Sequence, residues 1–158
     1  MASTEPAPYE SAWLTENGWV PGRDIGERAA ELVEVRVRDA ARQGVALSAS
    51  PAAVRIVRSY GLLRLAHEKA AGEVWVMKPT PGYEGDAALI AELAAGLGTG
   101  LFPVGYEESE RGLLLVDEKG RWFHLHHTGG YLLGADEFDA FSRFLRGVEA
   151  PDAEDYFV

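Results

Sequence analysis

The sequence predicts an α+β fold: helices first, then a mostly antiparallel central sheet with further helices interposed, about four to five helices in one domain. Three observations carry this. Apolar residues recur at helical spacing between Ile25 and Ala40. From Leu62 to His127 the apolar runs shorten and are separated by turn residues. A chain of 158 residues fills one core and has little left for a second.

Residues 1–10 read as a flexible Pro/Ala/Ser arm, 11–147 as the domain, and 148–158 as an acidic tail. From Ser11 the pattern is helical for two turns, and Gly18 supplies a left-handed stop. Arg23-Asp24 leads into a longer helix ending near Gln43, whose inward stripe is Ile25, Ala29, Leu32, Val33, Val37 and Ala40. Val45–Ser48 reads as a short strand. Ser50 before Pro51 marks the next helix start, a capping hydroxyl followed by proline at the first helical position. Ala53, Ile56, Val57 and Tyr60 form its buried stripe.

Leu62–His67 and Glu73–Lys78 then read as two strands joined by a short turn. Asp86 is placed to cap a helix running to about Ala95, with Leu89, Ile90, Leu93 and Ala94 inward. Phe102–Glu107, Gly112–Val116 and Arg121–His127 form a meander, with Asp117-Glu118-Lys119-Gly120 as a hairpin turn. Leu113-Leu114-Leu115-Val116 does not alternate, which predicts a central strand covered on both faces. Tyr131–Leu133 is a last strand. Asp136 caps a final helix with Phe138, Phe141 and Leu145 inward, and Gly147 ends it.

Composition narrows the function. No cysteine is present, which excludes disulfides and thiolate zinc sites and leaves an intracellular setting open. The opening residues MASTEPAPYES carry neither the basic start nor the apolar centre of a secretory signal. No apolar run approaches the roughly 20 residues that span a bilayer. Fifteen basic against twenty-five acidic side chains give a formal charge of −10. Such a surface repels phosphate backbones and anionic lipid, so neither nucleic acid nor membrane is expected as a direct partner. It attracts a basic protein, or simply keeps the chain soluble.

Residues with chemical potential mostly have plainer readings. His124 and His126, two apart on a strand, share a face and could offer nitrogens to one metal, while His127 points to the opposite side. Two ligands make no coordination sphere, so no metal residues are assigned. Gly96-Leu97-Gly98-Thr99-Gly100 resembles a phosphate loop, but it ends a helix and enters a strand, the reverse of a dinucleotide site, so no cofactor is implied. No G-x-S-x-G elbow is present and no catalytic residue is assigned. Trp13, Trp19, Trp75 and Trp122 read as core, and Arg23 as structural, pairing with Asp24, Glu27 or a buried carbonyl. Asp117 and Glu118 at a hairpin tip are expected to be solvated.

The acids suggest a recognition surface instead. Glu107, Glu108 and Glu110 line one connection and Asp117 and Glu118 the next. Asp152, Glu154 and Asp155 precede Tyr156 and Phe157. Carboxylates beside aromatic anchors suit a basic partner; solvated loops and a frayed end are the alternative.

Five motifs occur in order between residues 11 and 147: Trp13-Leu14 with Gly18-Trp19 and Gly22-Arg23; Ser59-Tyr60-Gly61-Leu62-Leu63; Leu97-Gly98 before Leu101-Phe102-Pro103-Val104-Gly105; Asp117-Glu118-Lys119-Gly120-Arg121; and Arg146-Gly147. In this order they resemble the third subfamily of the SUKH superfamily of bacterial toxin-immunity proteins, related in fold to the fungal Smi1/Knr4 proteins. The resemblance implies helices packed on a central sheet and an immunity role in a polymorphic toxin system. A cytoplasmic protein would bind and block a cognate toxin such as a nuclease or nucleic-acid deaminase, and the charge of −10 suits a basic one. It implies no catalytic residue. Two alternatives stand beside it: a Smi1/Knr4-like regulatory interaction module, and a small metal-dependent hydrolase using the histidines.

Overall fold

Six antiparallel strands lie side by side in chain order, each hydrogen-bonded to the next. A computed structural model describes residues 6–158, so the first half of the expected arm lies outside the described residues. The strands are β1 (Arg64–Ala66), β2 (Val74–Val76), β3 (Leu101–Glu107), β4 (Leu113–Asp117), β5 (Trp122–His126) and β6 (Gly129–Gly134). Around them stand α1 (Pro8–Glu16), α2 (Glu27–Arg42), α3 (Pro51–Tyr60), α4 (Asp86–Leu97) and α5 (Glu137–Arg146). This is the α+β architecture that the sequence predicts.

Local chemistry accounts for most element ends. Ser50 accepts a hydrogen bond from the Ala53 amide at 3.2 Å, and Asp136 accepts from Asp139 at 2.8 Å, so each fills an orphan donor of its helix. Gly120 takes the positive φ of 90° that the β4–β5 turn demands. Every residue of β4 is buried, as its unalternating run predicts. Helix α1 starts at Pro8, inside the expected arm, because proline is already set for a first helical turn.

Some expectations fail for identifiable reasons. Val45–Ser48 joins no sheet and forms no strand; the Val45 amide instead donates to the Ala40 carbonyl at 2.9 Å, closing the end of α2. Phe138 is only half-buried; its neighbour Glu137 goes inward and takes a two-pronged ion pair from Arg55 at 2.7 and 3.0 Å. Leu89 is exposed, and Ala87 and Leu97 fill the inward positions of α4 instead. Asp86 is not the cap of α4 but its first residue, following Gly85. Its carboxylate turns inward to Arg36 at 2.6 Å, and neither side chain has any exposure. Arg36 therefore occupies the buried stripe of α2 between Leu32 and Ala40. Asp39 and Gln43 complete the polar knot that ties α2 to α4.

All four tryptophans are buried. Phe141 of α5 packs edge-on against Trp13, Tyr60 and Trp122, and Phe144 stacks on Trp75 at 4.4 Å. Arg23 is structural: its guanidinium donates to the carbonyls of Ser59 at 3.0 Å and Gly61 at 2.9 Å.

The C-terminal tail is docked. The Leu132 amide donates to Pro151 and Tyr131 bridges to Asp152, so the tail runs along the outer edge of β6. A 3₁₀ turn (Ala153–Tyr156) follows, with Ala153 buried. Beyond it the Val158 amide donates to Gly96 at 2.9 Å, and the Phe157 ring lies on Gly96 so closely that a β-carbon there would come within 2.7 Å of it. The tail thus covers an edge that would otherwise present unpaired backbone groups.

Candidate partner-binding face

Strand register builds the floor of a concave acidic face. Trp75 is the direct cross-strand partner of Glu107, so indole and carboxylate stand on one side of the sheet. Glu73, two residues before Trp75, opens on the same side. Helix α5 supplies the opposite wall through Ala140, Arg143, Phe144 and Gly147, a set at helical spacing. The chain then turns, and Val148, Glu149 and Ala150 close the rim. The result is a slot of about 270 Å³ with an aromatic base and carboxylates from three separate segments.

Charge within the slot is unbalanced. Glu107 is held in place, accepting hydrogen bonds from the amides of Ser109 and Glu110, both at 2.9 Å, and from the Ser109 hydroxyl at 2.6 Å. Glu73 and Glu149 are exposed and make no side-chain hydrogen bond or ion pair among the described residues. Arg143 is the single basic residue of the lining, and its Nε donates to Asp139 at 3.0 Å.

The structure separates the acids that the sequence brings to attention. Glu107, Glu108 and Glu110 lie at the β3–β4 connection, beside the slot. Glu108 takes a two-pronged ion pair from Arg64 at 2.7 and 3.0 Å, which pulls its carboxyl below the ordinary range. Asp117 and Glu118 lie at the other end of β4. Asp117 is not solvated as expected: it has no exposure, accepts from the amides of Lys119 and Arg121, and pairs with the Arg121 guanidinium at 2.8 Å. Its chemistry is consumed in shaping the turn. Glu118 accepts from Thr99 and Gly100, bracing the end of α4. Asp152 follows the β6 edge, while Glu154, Asp155, Tyr156 and Phe157 are exposed near α4, away from the slot. Glu73, Phe144 and Glu149 are not among the residues that the sequence singles out for a partner, and Trp75 reads there only as core. The available signal was the pairing of a strand tryptophan with a strand-end glutamate, visible only once register is known.

The histidines gather at the far end of β5. The His124 and His126 rings are 5.7 Å apart, and His127, expected on the opposite side, brings its ring to 3.8 Å from His126 because it stands past the strand end. His126 Nδ1 faces the Thr128 amide and hydroxyl. Glu110 stands 2.6 Å from His126 Nε2, close enough for an ion pair but without the angle of a hydrogen bond. Burial, reinforced by neighbouring His126, pushes the His124 pKa below the ordinary imidazole value. Among the described residues no group of three or more histidines and carboxylates is arranged to hold a metal ion. No helix among the described residues is long and apolar enough to cross a membrane.

A family model described as SUKH-3 immunity protein matches residues 8–147. No curated protein and no solved structure matches the chain significantly. The matched span holds the whole sheet, all five helices and most of the slot; the docked tail, with Glu149, lies beyond it.

Proposed function

The chain belongs to the SUKH-3 immunity protein family, and on that premise we propose that it binds a cognate polymorphic toxin in the cytoplasm and lies over the toxin's working cleft. The family match across residues 8–147 is the observation that carries this reading. The toxin class that suits the chain is a nuclease or nucleic-acid deaminase. Such an enzyme holds phosphates in a basic cleft, and a surface of net charge −10 is complementary to it. Long-range attraction speeds encounter, and desolvated aromatic contacts slow departure. The chain itself makes and breaks no bond in this reading and needs no cofactor.

Co-expression with a toxin domain encoded beside it tests the proposal. Growth is restored, the two proteins co-purify, and association slows steeply as salt rises. Continued killing at matched expression of both proteins would overturn it.

A further inference from the structure

We infer that the slot between β2–β3 and α5 receives one arginine side chain of the partner protein. This rests on the immunity reading and names the part of the toxin that the chain grips.

Size and chemistry both point to a single long cationic side chain. At about 270 Å³ the slot lies at the lower edge of the roughly 300–1,000 Å³ of small-molecule sites and has room for one long side chain. Its base is aromatic, with Phe144 stacked on Trp75, and its inner wall carries Leu133 and Val148. Trp75 is itself sandwiched between Phe144 and Trp122, so the half-buried Phe144 ring and this apolar wall are what the slot offers, and they suit the methylene stem of a long cationic side chain. Around the mouth stand Glu73, Glu107 and Glu149, against the one base Arg143 that Asp139 already engages. A planar fork of five donors can bridge such carboxylates, whereas an ammonium meets them only as a point charge.

The site is prepared in advance. Glu107 is fixed by three donors of its own loop, so little ordering entropy is lost when a cation arrives. The chain uses the same chemistry internally, in the two-pronged pairs Arg55–Glu137 and Arg64–Glu108. In the slot three carboxylates face a single guanidinium, that of Arg143, whose Nε is held by Asp139, so a second guanidinium has to come from outside.

The test titrates the full chain with Nα-acetyl-arginine amide, with the neutral citrulline analogue as control, following the Trp75 indole and Val148 amide signals by NMR. Arginine amide gives a saturable shift at millimolar concentration, and the citrulline analogue does not. Glu73→Gln with Glu149→Gln, both exposed and isosteric, weakens the response by about tenfold. Arg143→Gln removes a competing positive charge and tightens it about twofold. A missing shift, an equal response to citrulline, or unchanged affinity in the Gln pair overturns the inference. With a toxin domain that the chain neutralises, the Gln pair loses affinity and Glu27→Gln with Glu92→Gln, exposed acids on α2 and α4 outside the slot lining, does not. Equal loss from the two pairs overturns the slot and leaves immunity standing. A wild-type chain that neutralises no toxin overturns the immunity reading, while the arginine titration still decides the chemistry of the slot.

Discussion

Buried and open carboxylates divide this molecule into two regions with opposite purposes. Asp86 and Asp117 have no exposure, and each is surrounded by donors from its own chain: Arg36, Gln43 and the Tyr83 amide for one, Arg121 and two turn amides for the other. Glu73, Glu107 and Glu149 ring a slot whose one base is tied elsewhere. The functional group, a carboxylate, is the same in both regions. What differs is where the compensating charge comes from. Acids paired with a cation of their own chain hold the fold, and acids without one, Glu107 among them with neutral donors only, are open to a partner's charge.

Substitutions break the comparison cleanly, because the two regions should answer to different assays. Asp86→Ala removes the buried carboxylate that faces Arg36 and leaves that guanidinium only its pair with Asp39; the change is expected to cost about 3–5 kcal/mol, read as a lower denaturation midpoint. Arg36→Met combined with Asp86→Asn should cost less than the two single changes together, since no charge is left unpaired. Full additivity would show that the pair is not coupled. Asp117→Ala orphans two turn amides and Arg121, with an expected loss of about 1–3 kcal/mol, while a toxin pair formed through the slot keeps its affinity once the fold is saturated.

A smaller effect depends on pH. The folded pKa of His124 lies below its unfolded value, so the unfolded chain takes up the proton first. The contribution of neutral His124 is therefore complete above roughly 6.5 and is lost as pH falls toward the depressed folded value. Stability measured between pH 7 and 5 should decline less steeply in His124→Gln than in the wild type; identical slopes would remove His124 as the cause. At the bottom of the scale, Glu73→Gln with Glu149→Gln should change stability by no more than about 0.5 kcal/mol. A larger loss would place these acids with the structural set and erase the distinction.

Sequence patterning reveals the scaffold better than the surface. Ser50, Asp136 and Gly120 mark element ends because caps and turns are local chemistry, complete within four or five residues. The buried run Leu113–Val116 betrays its central strand for the same reason. Arg36 hides because a charge inside an apolar stripe looks like a surface residue until Asp86, fifty positions away, is known to meet it. The tail reads as a solvated acidic end, yet Pro151, Phe157 and Val158 find backbone partners and small residues on β6 and α4. The slot is the least legible feature. It unites positions 73, 75, 107, 144 and 149, and only register and helix phase bring them together. Of the acids that the sequence singles out, Glu107 lines the slot and Glu108 and Glu110 adjoin it, whereas Asp117 and Glu118 stand at the opposite end of β4.

Hydrogen exchange on the chain alone and in complex with the toxin it neutralises tests the central claim most directly. Burial of a partner in the slot predicts new protection in three stretches: Glu73–Trp75, Glu107–Gly112 and Phe144–Ala150. Protection confined to α4 and the tail, with those three stretches exchanging as in the free chain, would contradict it.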